Sequence, residues 1–238
     1  VVSLNSDNVQ SPGNGSWEAS ISGDGRYVAF TSGSSSLVPG DTNYYDDVFV
    51  RDRQTSTTIR VSVATDNTQG NDDSQWACIS ANGQYVGFVS NADNLLGAGN
   101  DNNDESDVFL HNLVTHETTR VSVANNGDEG SHQSTWFSLS PDARYVAFAS
   151  WSNNLVAGDT NGNGDVFVRD RQLNTTTWVS LNSSGAQVWG NCVAPSISAN
   201  GRYVAFESVS DDLVPSDTNS ESDMFIHDRQ TGETALIS

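Results

Sequence analysis

Four short stretches of this 238-residue chain place oxygen-bearing side chains at alternate positions. They are Asp41, Asn43 and Asp47; Asp101, Asn103, Glu105 and Asp107; Asp159, Asn161, Asn163 and Asp165; and Asp217, Asn219, Glu221 and Asp223. Counted within each loop these are positions 1, 3, 5 and 7, and Tyr45 is the only position-5 residue without a side-chain carbonyl. Calcium is a hard cation that takes about six to eight oxygens, and such a loop can wrap carboxylates and amides around one centre. The first three positions follow EF-hand logic, but no bidentate Glu follows at the twelfth position and no Gly is fixed at the sixth, so this is a different loop with similar chemistry. Asp and Asn also build turns through their own backbone, which is the alternative reading of the same residues. A turn needs one Asp, whereas all four loops keep one at each end. The pattern predicts up to four Ca²⁺, one per loop, preferred over Mg²⁺ because the ligands are many and the loop irregular. The Tyr45 loop is expected to be the weakest unless Asp46 substitutes.

Charge points the same way. Thirty acidic residues against ten basic ones, all Arg, leave a net charge of −20, and four bound Ca²⁺ would bring it to −12 and relieve self-repulsion. That charge argues against a nucleic-acid partner, which would be repelled. The apolar runs are short, as in Tyr27-Val28-Ala29-Phe30, so no membrane insertion is expected. Cys78 and Cys192 are too few for a disulfide framework or a thiolate zinc site, and could form one bridge or be two buried thiols.

Other candidates are aromatic. Trp17, Trp76 and Trp136 fall on the first strand-like piece of three repeats, where the fourth has Val193 or Ala194. They read as packing residues, with a ring of sugar-stacking indoles as the alternative. Trp151 and Trp189 stand outside the repeat consensus and are the better candidates for an exposed ligand platform. Arg51-Asp52, His111-Asn112, Arg169-Asp170 and His227-Asp228 end the third pieces and are expected to face solvent or a neighbouring strand. His116 and His132 have no carboxylate at a recognised motif spacing, and no Gly-x-Ser-x-Gly elbow, His-Glu-x-x-His helix or phosphate-cradling glycine loop occurs.

The elements that position these residues form a repeat. Tyr27, Tyr85, Tyr145 and Tyr203 are in register at separations of 58, 60 and 58 residues. Each unit holds four strand-like pieces; in the first these end at Ile21, then run over 26–30, 47–51 and 58–63. Asp24-Gly25 signals a two-residue hairpin, Val48 and Val50 alternate with Phe49 and Arg51, and helical periodicity is absent. Repeated four-stranded meanders predict an all-β β-propeller of four four-stranded antiparallel blades, about 58 residues per repeat. One domain over 1–238 is expected, with blades at about 15–64, 74–124, 134–182 and 192–238 and an extra outer-type strand at 1–6, because Val1-Val2-Ser3-Leu4 matches Val61-Ser62-Val63. That surplus leaves three assemblies open: a closed four-bladed monomer, part of a larger propeller, or two chains in one ring.

The run from Ser20 to Phe30, repeated from Ser196 to Phe206, resembles the TolB-type, WD-like propeller repeats of bacteria, whose blade motif is Ser-Pro-Asp-Gly before an aromatic-rich strand. It is most similar to the long-blade variants, through Leu37-Val38-Pro39-Gly40-Asp41-Thr42-Asn43 ahead of Asp47-Val48-Phe49-Val50-Arg51-Asp52; Ser-Pro-Asp itself survives only at Ser140-Pro141-Asp142. The resemblance implies a secreted, cell-surface or periplasmic protein. The expected function is a non-catalytic, calcium-binding module for carbohydrate or protein ligands, with self-association as a structural alternative and a polysaccharide hydrolase or lyase as a further one. Repeats that differ in length by only two residues argue against inserted catalytic loops.

Overall fold

The computed structural model describes residues 1–11, 15–97 and 99–238. Blade 1 consists of β1 (Ser16–Ile21), β2 (Tyr27–Ser32), β3 (Asp47–Asp52) and β4 (Thr57–Arg60). Blade 2 consists of β5 (Ser74–Ile79), β6 (Tyr85–Ser90), β7 (Asp107–Asn112) and β8 (Thr118–Arg120). Blade 3 consists of β9 (Ser134–Leu139), β10 (Tyr145–Ser150), β11 (Asp165–Asp170) and β12 (Thr175–Trp178). Blade 4 consists of β13 (Cys192–Ile197), β14 (Tyr203–Ser208), β15 (Asp223–Asp228) and β16 (Glu233–Leu236). Each blade is an antiparallel meander in sequence order, and the chain is an all-β propeller of four four-stranded blades. No helix occurs among the described residues, so none is long and apolar enough to cross a membrane.

Burial explains the composition of the strands. Every residue of β3 and of β11 is buried, so these strands are covered on both faces, and both carry an unbroken apolar Val-Phe-Val centre between charged ends. The outer strand β4 alternates instead, with Thr58 buried between exposed Thr57 and Ile59. Phe30 faces Phe49, Phe88 faces Phe109, Phe148 faces Phe167 and Phe206 faces Phe225, with ring centroids 5.8, 5.8, 5.8 and 6.0 Å apart. Such cross-strand pairs add about 0.5–1.5 kcal/mol beyond the apolar area they bury.

Three local features differ from the sequence expectation. The β1–β2 connection is not a two-residue hairpin: the Ser22 N–H donates to Tyr27 O at 2.9 Å, leaving Gly23-Asp24-Gly25-Arg26 between them. Gly25 does take the expected positive φ of 72°, and Asp24 Oδ1 holds the longer turn by accepting from Ser22 Oγ at 2.6 Å and Arg26 N–H at 2.9 Å. The fourth strand stops at Arg60 because the Ser62 hydroxyl takes the place of a backbone carbonyl, accepting from Val48 N–H at 3.1 Å. The segment at 1–6 forms no strand; Leu4 makes a single bridge to Gln10, as Val63 does to Gln69, Val123 to Glu129 and Leu181 to Gln187. It is a connector of the kind that precedes every blade, and the Thr58 hydroxyl donates to Leu4 O at 2.5 Å.

The chain divides into two compact units, Val1–Arg120 and Val121–Ser238, of two blades each. In the first, β5 lies against β1, β2 and β3, and the core gathers Ala29, Val50, Val61, Ile79 and Phe88. In the second, β13 lies against β9, β10 and β11, around Ala147, Val168, Val179, Val204 and Phe206. Within each unit a hairpin glycine seats the second blade on the first: a Cβ at Gly83 would fall 2.9 Å from the Tyr27 ring, and one at Gly201 would overlap the Tyr145 ring. Both cysteines are free; Cys192 is buried, and burial pushes its thiol up to about 12.

Candidate metal centre

Each acidic loop joins the second strand of a blade to the third, and its position-7 Asp is the first residue of that third strand. Asp47, Asp107 and Asp165 are fully buried, and Asp223 nearly so. A serine just beyond the fourth strand fixes this carboxylate. Ser62 Oγ donates to Asp47 at 2.5 Å, Ser180 Oγ to Asp165 at 2.6 Å and Ser238 Oγ to Asp223 at 2.6 Å. The position-1 Asp is also withdrawn from solvent in blades 1, 3 and 4: the Asp41 side chain is 4 % exposed, and Asp159 and Asp217 are buried. In blade 2, oxygens of Asp101 and Asp107 lie within 4.8 Å of one another.

The other two positions do different work. The position-3 Asn builds the loop, its Oδ1 accepting the N–H of position 5: Asn43 from Tyr45, Asn103 from Glu105, Asn161 from Asn163 and Asn219 from Glu221, at 3.3, 2.9, 3.0 and 2.9 Å. Its amide nitrogen serves the blade interior, as Asn161 Nδ2 donates to Asp165 at 3.1 Å and to Val188 O at 2.9 Å. At position 5, Tyr45, Glu105 and Glu221 are exposed and Asn163 is half-buried. The structure thus brings positions 1 and 7 together in blades 1 and 2, where the three or four alternate side chains of each loop were expected to converge.

What balances each acid pair comes from the end of the fourth strand, where the blades differ. In blade 1, Arg60 Nη1 sits 3.2 Å from Asp41 Oδ1 and 3.0 Å from Asp47 Oδ2. In blade 2, Arg120 Nη1 is 3.1 Å from Asp107 Oδ2. Blade 3 has Trp178 there, stacked on Phe167, and its Nε1–H donates to Asp165 at 3.0 Å. Blade 4 has Leu236, with no polar side-chain atom at all. Burial raises Asp41 and Asp47, and the Arg60 charge opposes it. No cation opposes it in blade 3, where burial, followed by the nearby Asp165 charge, pushes Asp159 up to about 6. In blade 4 both carboxylate oxygens of Asp217 and Oδ2 of Asp223 are buried without a hydrogen-bond partner. Leaving such groups unpaired costs several kcal/mol, on the order of what is lost when a buried ion pair is broken. These four fourth-strand positions escaped the sequence reading. Aligning 60, 120, 178 and 236 across the repeats is the signal that would have found them.

The tryptophans do not form one equivalent set. The first strand of every blade carries a bulge whose central residue has positive φ: Glu18 at 55°, Trp76 at 63°, Trp136 at 38° and Ala194 at 50°. Trp17 precedes its bulge residue, so it occupies a different position from Trp76 and Trp136. Glu18 takes that place in blade 1, and its carboxylate accepts the Trp76 N–H at 2.5 Å and the Thr31 hydroxyl at 2.9 Å. Trp151 is half-buried, packed over Gly164 and 5.9 Å from Trp136, whereas Trp17, Trp136 and Trp189 are exposed. Arg51, His111, Arg169 and His227 are buried cross-strand partners, not solvent-facing groups. They meet Thr58, Thr118, Thr176 and Thr234, whose hydroxyls donate to the carbonyls of connector residues Leu4, Val63, Val123 and Leu181.

No family model matches the chain, and no curated protein sequence matches it. Solved structures do. TolB from Acinetobacter baumannii aligns with a TM-score of 0.55 at 16 % identity, over 94 % of this chain and 44 % of that one. A putative TolB from Agrobacterium tumefaciens aligns at 0.57 and 15 % identity, over 92 % and 63 %. An oligogalacturonate lyase in complex with manganese aligns at 0.57 and 10 % identity, over 96 % and 55 %. The chain therefore spans about half the length of these structures, and at such identities they share its fold alone. The TolB-type resemblance read from the repeat is borne out at the level of that fold.

Proposed function

We propose that this propeller is a non-catalytic, calcium-binding module that presents its surface to a carbohydrate or protein ligand in an extracellular, cell-surface or periplasmic setting. The observation that carries the metal reading is in the blade 4 loop, where Asp217 and Asp223 are 7 % and 9 % exposed and three of their carboxylate oxygens have no hydrogen-bond partner. Buried carboxylates require a counter-charge, and a hard divalent ion supplies it while replacing the missing hydrogen bonds. The donors are carboxylate oxygens on an irregular loop, which suits Ca²⁺ better than the strict octahedron of Mg²⁺. Extracellular modules work with modest calcium affinity because the ion is plentiful there.

For the ligand surface, exposed indoles are the best-suited groups. Trp136, 39 % exposed, is backed by Trp151, and Trp189 is 64 % exposed; flat apolar faces of this kind suit a sugar ring. The test is thermal unfolding in millimolar CaCl₂ and in excess chelator. A melting temperature lowered by chelation is expected, and an unchanged one overturns the metal reading. A glycan array probed with and without calcium tests the ligand: calcium-dependent retention supports the carbohydrate module, and its absence favours a protein ligand or an assembly role.

A further inference from the structure

The acidic loop recurs in all four blades, but the fourth strand beside it differs from blade to blade. Residues 60, 120, 178 and 236 are equivalent in the repeat, each lying two before the serine of Ser62, Ser122, Ser180 and Ser238. In blade 1 this position sends a guanidinium nitrogen between the two carboxylates, at 3.0 and 3.2 Å. Those distances are hydrogen-bonded ion-pair contacts, and the nitrogen occupies the place from which a metal ion would reach both aspartates. Arg120 makes the same kind of contact to Asp107 and is itself buried, its side chain 3 % exposed. A divalent ion entering either loop would have to displace a buried arginine and leave that charge without its partner.

Blade 4 presents the opposite case. Leu236 contributes no donor, Ser238 serves one oxygen of Asp223, and the three remaining carboxylate oxygens of Asp217 and Asp223 have none. Blade 3 lies between: the Trp178 Nε1–H, Ser180 and Asn161 serve Asp165, and among the described residues no cation is paired with Asp159.

Building on the calcium reading, we infer that the fourth-strand residue decides which loops take an ion: arginine is a resident cation that closes the loops of blades 1 and 2, and the blade 4 loop, with the buried carboxylates of Asp217 and Asp223, is the principal divalent-cation site. Leu236→Arg should close the blade 4 site, and Arg60→Met should open one in blade 1.

Both substitutions are read by counting ions. The purified chain, Leu236→Arg, Arg60→Met and Asp217→Asn are each titrated with CaCl₂ by calorimetry, with folding checked by circular dichroism. The expected result is one ion fewer than wild type for Leu236→Arg and for Asp217→Asn, and one more for Arg60→Met. If wild type binds no calcium, the calcium reading itself fails and the inference with it. If wild type binds calcium and the folded variants keep its stoichiometry, the calcium reading stands and the inference is overturned. Should Leu236→Arg not fold, the gain in Arg60→Met and the loss in Asp217→Asn decide by the same count.

Discussion

Replacing Asp217 by Asn should have effects of different size, and of different sign at high calcium, with and without the metal. The substitution keeps the side-chain shape and removes one buried negative charge whose two oxygens have no partner. Breaking a buried pair exposes a penalty of about 3–5 kcal/mol for the stranded charge, and an unpaired amide still costs about 1–3 kcal/mol. In excess chelator Asp217→Asn should therefore stabilise the protein by roughly 1–3 kcal/mol. That corresponds to a rise in Tm on the order of 2–10 °C for a chain of this size. In calcium the wild type gains RT ln(1 + [Ca²⁺]/Kd), about 2.7 kcal/mol at 100 times Kd and about 4.1 at 1,000 times, and the variant forfeits it. The variant-minus-wild-type difference should swing by roughly 3–4 kcal/mol between the two conditions. Urea unfolding at neutral pH, with chelator or with a calcium series, measures both ends of the swing. A difference below about 0.5 kcal/mol between conditions would refute the premise that this carboxylate is an uncompensated charge awaiting a cation.

Three further expectations rest on other contacts. Gly201→Ala should destabilise by roughly 2–4 kcal/mol, combining left-handed backbone strain with overlap on the Tyr145 ring, while Gly25→Ala, with no heavy atom closer than 3.7 Å, should cost about 1 kcal/mol; equal losses in urea titrations would count against the packing account. Thr176→Val removes a hydroxyl that donates to Val123 O and accepts from Arg169, and should cost roughly 1–3 kcal/mol, whereas the exposed neighbour Thr177→Val should change stability by less than about 0.5 kcal/mol in the same denaturation assay. Burial, followed by the nearby His116, holds His111 down to about 4, so the folded state binds fewer protons than the unfolded chain between pH 4 and 6.5. Its contribution is present above pH 6.5 and lost as pH falls through that window, by up to about 3 kcal/mol, and His111→Gln should flatten this segment of a pH–stability curve.

Much of this molecule is written in its sequence because repetition amplifies weak local signals. One Tyr-Val-Ala-Phe run is an ambiguous apolar piece; in register at Tyr27, Tyr85, Tyr145 and Tyr203 it defines the second strand of four blades. The Asp pair at loop positions 1 and 7 was legible for the same reason, and in blade 1 it is the pair that shares Arg60. The length of the Gly23–Arg26 turn was not, because the Asp24 and Ser22 side chains, rather than the Asp-Gly dipeptide, choose it. Nor was the register of the indoles, since a first-strand bulge offsets Trp17 from Trp76 and Trp136.

The electrostatic state of each loop lay furthest from reach. Asp41 and Asp47 are balanced by Arg60 on a different strand, beyond the whole of β3 in sequence, and only the antiparallel return of β4 carries its guanidinium back to the loop. Spacing within a loop reports which oxygens can converge. Whether they meet a resident cation, an indole N–H or a leucine depends on what the folded sheet lays beside them, because a charge acts on its neighbours through distance in space and desolvation, neither of which is encoded in a local run of residues.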